Sequence, residues 1–285
     1  MKRIAFATYA EAPDLVDDDR VAARAFAARG IEVRPAVWDD PAVRWSDFDA
    51  VVVRSCWDYH LKSDAFVAWA ASVESSGARL WNPPGIVRWN FEKTYLRDLE
   101  RRGVPVVPTV WLERGAEADL GEILARASWA RVVVKPTVSL SAYETWVAPA
   151  EGGDARLARM LERGGVMVQP FMEEIVEGGE WSLVFFGGEY SHAVVKRPAA
   201  GDFRSQSEYG ASKTVTEPPA RLVDDARRAL AAVDGAVLYA RVDGVDARGL
   251  VLMELELIDP ELYFLKVPEA ADRFASAMLR LSSSE

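Results

Sequence analysis

Apolar residues recur in two different rhythms along this chain. In the first part, short apolar runs alternate with stretches of helical spacing. Ile4, Ala5, Phe6 and Ala7 run into Thr8, and residues 4–8 predict a first strand. Residues 17–29 are Ala-rich at helical spacing, and Gly30 closes them. Residues 31–37 read as a second strand, and 50–53 as a third, apolar enough to be buried on both faces. A further helix spans 62–75, before Gly77. This strand–helix alternation implies a small parallel sheet with crossover helices. Ligands of such sheets lie at the carboxyl ends of the strands, which here carry Thr8-Tyr9 and Arg54-Ser55-Cys56-Trp57-Asp58-Tyr59.

Asn82-Pro83-Pro84-Gly85 breaks the pattern. Residues 90–102 predict a helix closed by Gly103, and 104–109 an extended connector. Beyond it, strands come in pairs: 131–135 with 142–148, 180–186 with 189–197, and 237–243 with 250–258. Gly187-Gly188 marks a tight hairpin. Helices at 154–163 and 219–233 separate the pairs, and Ser282-Ser283-Ser284 reads as a frayed tail. The expected fold class is α+β with an α/β N-terminal part.

Composition narrows the function. At 285 residues, 50% hydrophobic and 27% charged, the chain is an ordinary globular protein of two or three subdomains. Its net charge of −10 argues against a sequence-independent nucleic-acid binder, which needs a basic footprint. The single cysteine, Cys56, excludes an intramolecular disulfide and a Cys-rich zinc site, and fits a reducing cytoplasm. No segment has the apolar length of a membrane span. The first apolar run is too short for a signal peptide, and Glu11 and Asp14 follow it. The expected partner is a small molecule rather than a nucleic acid or a membrane.

Candidate chemistry concentrates after residue 90. In Val251-Leu252-Met253-Glu254-Leu255-Glu256-Leu257-Ile258, period two places Met253, Leu255 and Leu257 on one face. Glu254 and Glu256 share the other face with Leu252 and Ile258. Two carboxylates about 7 Å apart repel by about 2 kcal/mol at an effective dielectric near 20. A divalent cation would remove that repulsion, and oxygen-only ligands suit Mg²⁺. A sheet with one wet face explains the same pattern. Arg241 and Asp243 share a face on the preceding strand. Lys135 ends an apolar strand before the hydroxyl-rich loop Thr137-Val138-Ser139-Leu140-Ser141-Ala142, a place where backbone N–H groups can hold a phosphate. Gln169-Pro170-Phe171-Met172 ends a strand at a bend, where Pro170 is expected to stop the pairing. Lys196, Arg197 and Arg204 gather cations near a turn.

The order of these features resembles the ATP-grasp superfamily over residues 80–265: a lysine in a helix, a strand lysine with a small-residue loop, a hinge strand, a basic hairpin, Arg-Val-Asp, then Glu-x-Glu. The resemblance implies a pre-ATP-grasp substrate domain at 1–85, a central subdomain at 86–168 and a C-terminal subdomain with the metal site at 169–285. It implies ATP and one or two Mg²⁺ as cofactors. By position, Lys93, Lys135 and Lys196 match the phosphate cations, and Gln169, Phe171 and Met172 the adenine hinge. Glu180 matches the ribose carboxylate, and Asp243, Glu254 and Glu256 the metal ligands. Arg241 matches the arginine at the reacting centre, with Lys135 and Arg204 beside it. The last metal ligand is usually Asn, and here it is Glu256.

Arg54–Tyr59, Gly201-Asp202-Phe203-Arg204 and Glu254–Leu262 resemble the branch of cyclo-ligases that closes O-ureido-D-serine into a ring. The implied substrate is a small amino-acid-like carboxylate, activated as an acyl phosphate and attacked by nitrogen. Arg54, Asp58, Tyr59 and Arg204 are the expected substrate contacts. Family precedent points to a homodimer. The rival readings are a small-molecule kinase on the same fold and a non-catalytic ATP-binding module.

Overall fold

The computed structural model describes residues 2–148, 153–199, 201–204 and 209–283. Its first layer is the expected parallel sheet. β1 (Arg3–Thr8), α1 (Asp17–Ala27), β2 (Glu32–Val37), β3 (Ala50–Ser55), α2 (Ser63–Ser75) and β4 (Arg79–Trp81) give the strand order β2-β1-β3-β4. All its pairings are parallel. β3 is buried at every position, as its unbroken apolar run required.

The second layer is antiparallel. It comprises α3 (Pro84–Asn90), α4 (Tyr95–Arg101), β5 (Val110–Leu112), α5 (Leu120–Ala127), β6 (Val132–Pro136), β7 (Trp146–Ala148), α6 (Asp154–Arg163) and β8 (Val166–Pro170), in the order β5-β8-β6-β7. Three expectations change here. Pro84 and Gly85 open a helix instead of breaking one, because Pro is tolerated at the first helical position. The helix expected at 90–102 starts only at Tyr95, so Lys93 lies in a turn between α3 and α4. The strand expected at 142–148 shortens to Trp146–Ala148, because Ser141, Ala142 and Glu144 adopt positive φ. Pairing also continues past Pro170, since the Phe171 N–H donates to Arg131 O at 3.1 Å.

The third layer contains α7 (Glu174–Glu177), β9 (Glu180–Phe186), β10 (Glu189–Arg197), β11 (Ser212–Val215), α8 (Ala220–Ala231), β12 (Tyr239–Asp246), β13 (Leu250–Glu256) and α9 (Ala270–Ser283). Its antiparallel order is β11-β10-β9-β12-β13. Gly187 and Gly188 both have positive φ, as a two-residue hairpin turn of this twist requires. Ser282 and Ser283 continue α9 and are not frayed; Ser284 lies outside the described residues.

α9 packs against α1 and joins the first and third layers. Phe274, fully buried, meets Phe6, Phe26, Phe186, Tyr239 and Phe264. Burying one such ring stabilises by about 2–3 kcal/mol. No helix among the described residues is long and apolar enough to cross a membrane.

Candidate active site

β13 ends the third sheet, and its free edge is covered group by group. Val107 N donates to Leu252 O (3.0 Å), and Leu252 N donates to Pro105 O (2.9 Å). The connector therefore lies along the strand. Leu255 N donates to the Tyr95 hydroxyl (2.9 Å). The Asn90 side chain donates to Leu255 O (2.8 Å) and accepts from Leu257 N (2.9 Å). Asn82 donates to Leu257 O (2.8 Å). An edge closed in this way neither slips nor pairs elsewhere. It holds Glu254 and Glu256 in fixed positions over a cavity among the three layers.

The face pattern of β13 differs from strict alternation. A bulge between Asp243 and Gly244 pairs Asp243 with Glu254 but Gly244 with Leu252, so Met253 is the extra residue. Leu252 packs with Leu255 and Leu257 in the core, and Met253 joins Glu254 and Glu256 on the cavity wall. Gly244 is required at this point, because a Cβ there would stand 2.5 Å from Val251 O. Ile258 packs with the aromatic core under the first sheet.

Most of the expected site residues meet in this cavity. Lys93, Lys135, Gln169, Met172, Glu180, Lys196, Arg204, Arg241, Asp243, Glu254 and Glu256 all line it. Lys93 donates to Ser139 O (2.8 Å) and pairs with Glu254 (2.8 Å), so the turn before α4 ties the hydroxyl-rich loop to β13. Lys196 pairs with Glu180 (2.6 Å) and Asp243 (3.3 Å). Asp243 also accepts from Ser182 Oγ (2.6 Å) and from Arg241 Nη2 (2.9 Å). Arg241 bridges onward to Glu256. Gln169 donates to Thr109 Oγ1 (2.8 Å). Arg204 pairs with Asp202 (2.7 Å) and stacks on Tyr209 (3.5 Å) at the cavity rim.

These contacts set the charges. Burial pushes Asp243 up, but Arg241 and Lys196 outweigh it and hold it down to about 2. Burial likewise opposes ionisation of Glu254, yet Lys93 and Lys135 keep its carboxyl below the usual value. Glu256 is pushed up to about 7, by burial and by Glu254 and Asp243, despite Arg241. Lys135 is pulled down to about 8, chiefly by burial. No carboxylate among the described residues lies within ion-pair distance of it. It is a half-buried ammonium on the cavity wall.

Magnesium fits part of the donor set. Glu254 and Glu256 supply oxygen ligands side by side, and the rise in Glu256 marks negative charge that its neighbours do not neutralise. Asp243 differs from them in having both oxygens engaged, by Ser182, Arg241 and Lys196. No group of three His, Cys, Asp or Glu among the described residues is arranged to hold a metal.

Four expected residues stand elsewhere. Phe171 is half-buried and not part of the lining; the Arg131 guanidinium stacks on its ring at 3.5 Å, and the ring meets Phe203 of the cavity wall at 6.2 Å. Arg54 is buried against Asp19 (2.8 Å) and donates to Pro260 O (3.0 Å), lining a smaller second cavity. Asp58 accepts from Trp38 Nε1 (2.7 Å) and Lys62 (2.7 Å), so it is structural. Tyr59 stacks on Phe66 at 4.9 Å within an aromatic core. Its side chain packs beside Phe91, away from the cavity. Sequence reasoning also missed several wall residues. Tyr263 donates to Ser182 Oγ (3.4 Å), Lys213 pairs with Glu261, and Asp259 follows the Glu-x-Glu strand. Asn82 and Asn90 carry the polar-residue signal of a capped edge, but only the fold shows which edge they cap.

Known proteins share this fold. Residues 4–82 match the family model described as D-cycloserine synthetase DcsG, N-terminal domain. The cycloserine biosynthesis protein DcsG of Streptomyces lavendulae is 35% identical over 270 residues, spanning 87% of this chain and 88% of that protein. The crystal structure of D-cycloserine synthetase DcsG superposes with a TM-score of 0.87 at 32% identity, covering 97% of this chain and 98% of that one. D-alanine–D-alanine ligase from Bacillus anthracis superposes with a TM-score of 0.71 at 17% identity, covering 98% and 97%, a likeness of fold. With its parallel first sheet, its two antiparallel sheets and the cavity they enclose, the chain belongs to the D-cycloserine synthetase family of ATP-grasp ligases.

Proposed function

We propose that this chain is an ATP- and Mg²⁺-dependent cyclo-ligase acting on a small amino-acid-like substrate. It activates the substrate carboxylate as an acyl phosphate, and a nitrogen of the same molecule closes the ring. The observation that carries this reading is that Lys135, a half-buried ammonium without a carboxylate ion-pair partner among the described residues, lines the same cavity as Glu254 and Glu256. Cations without protein counter-charges suit phosphates, and carboxylates fixed beside them suit Mg²⁺.

Lys93, Lys135 and Lys196 bind the phosphates of ATP, and Gln169 and Met172 border the adenine. Glu180 accepts from the ribose hydroxyls once Lys196 turns to phosphate. Glu254 and Glu256 would hold Mg²⁺, which would supply neutralisation of charge on the transferred group. The substrate carboxylate oxygen takes the γ-phosphoryl group and ADP leaves. The ring nitrogen then attacks the acyl carbon, and phosphate departs with that oxygen. Arg241 donates to the oxygen that gains charge in this second step, the kind of fixed donor that contributes most in acyl transfer. A nucleophile in the same molecule needs no second binding event.

The reading is tested by ADP release with Mg²⁺, ATP and O-ureido-D-serine, with the product mass measured in parallel. Substrate-dependent ADP with a cyclised product is expected. ADP with phosphate retained on a stable product would overturn it.

A further inference from the structure

We propose that Asp259 binds the α-ammonium group of the substrate, in a subsite where the first and third layers meet. The inference rests on the ligase reading above and names the part of the substrate that the described cavity does not otherwise explain.

Asp259 is 4% exposed, lies three residues beyond Glu256 and lines the main cavity. Its Oδ2 is buried and accepts no hydrogen bond. Burial and the neighbouring Glu256 push its carboxyl well above the usual range, so the acid is neutral in the empty cavity, and a cation placed against it would favour its ionisation. Of the two arginines nearby, Arg54 is held by Asp19 through Nε and by Pro260 O through Nη2, its Nη1 making no hydrogen bond, and Arg241 is held by Asp243 and Glu256. Among the described residues, no Lys, Arg or His forms an ion pair with it. The missing cation therefore comes from the ligand.

Its position also fits. The segment carrying Asp259 is pinned from both sides, because Arg54 donates to Pro260 O (3.0 Å) and Arg241 donates to Glu261 O (3.2 Å). Asp259 is thus fixed next to the guanidinium assigned to the reacting carbonyl. In an α-amino acid the ammonium is separated from the carboxyl carbon by a single carbon, so its subsite must adjoin that guanidinium. Asp58, the carboxylate among the expected substrate contacts, is already taken by Trp38 and Lys62.

The test compares two ligands that differ only in the amine: O-ureido-D-serine and 3-(ureidooxy)propanoate. Each is titrated into the full chain with Mg²⁺ and a non-hydrolysable ATP analogue. Wild type is expected to prefer the amine-bearing ligand by more than tenfold, and Asp259→Asn to bring that ratio close to one while the ATP analogue binds unchanged. Asp259→Asn is also expected to melt no lower than wild type, since it replaces a buried acid whose Oδ2 makes no hydrogen bond. A preference that survives in Asp259→Asn, no preference in wild type, or a lowered melting temperature in the variant would each overturn the proposal. Discrimination of the expected kind without ADP release from ATP would leave the subsite standing and overturn the ligase reading instead.

Discussion

Asp243 and Glu254 stand directly opposite each other on β12 and β13, yet different cations hold them. Arg241 and Lys196 clamp Asp243, whereas Lys93 reaches Glu254 from the turn before α4. One carboxylate anchors the third sheet's own arginine. The other ties that sheet to the second layer through Lys93 and Ser139. Phosphates entering the cavity would draw the lysines from the carboxylates and leave Glu254 free for a metal.

Lys135→Ala and Glu254→Gln are expected to lower kcat/KM by at least about a hundredfold without unfolding the protein, the scale seen when one charge-stabilising group is removed. Lys135 is charged below its value of about 8 and neutral above it. Binding of ATP to the free enzyme should therefore weaken as pH rises through 8, and Lys135→Arg should remove that dependence. Calorimetric titration of an ATP analogue at pH 7 and 9 checks both.

Arg241→Met is expected to destabilise the fold by about 3–5 kcal/mol, because it leaves Asp243 and Glu256 buried with fewer counter-charges. Arg241→Met,Asp243→Asn should recover part of the loss. Urea unfolding of the three proteins measures it, and equal stability in all of them would contradict the clamp.

Asn90→Ala leaves Leu255 O and Leu257 N without their side-chain partner. A loss of about 2–4 kcal/mol is expected from two buried groups of this kind. KM for ATP should rise as well, since Lys93 sits three residues further along the same turn. An unchanged KM in a destabilised variant would separate the edge cap from the phosphate site.

His192 lies buried on β10, with Nε2 bonded to Leu262 O (3.1 Å). Burial pulls its pKa down to about 4. Between the unfolded value near 6.5 and 4, the unfolded chain binds the proton and the folded one does not. Stability should therefore fall as pH drops through this window, by at most about 3 kcal/mol. His192→Gln should flatten the slope, which denaturation at pH 5 and 7 would show.

Much of the fold was legible because its periods are long and clean. The alternation up to residue 75, the 180–186 and 189–197 hairpin and the 154–163 helix all follow from spacing. β4 and β5 have three residues each, too few to show a period. α9 carries a signal of its own, with Phe274, Ala275 and Met278 at helical spacing. The site was legible in residue type but not in direction. Alternation placed Met253 with Leu255, and the bulge at Gly244 moved it to the cavity. Sequence offered Asp58 as a substrate contact and did not single out Asp259. Only packing shows that Trp38 and Lys62 occupy the first, and that the second has no donor for Oδ2.

The formation of an acyl phosphate on the substrate leaves an isotopic trace. With ¹⁸O in the substrate carboxylate, the proposed chemistry transfers one ¹⁸O to inorganic phosphate for each ADP released and yields a cyclised product. Unlabelled phosphate, or label that stays wholly in the organic product, would contradict carboxylate activation in this cavity.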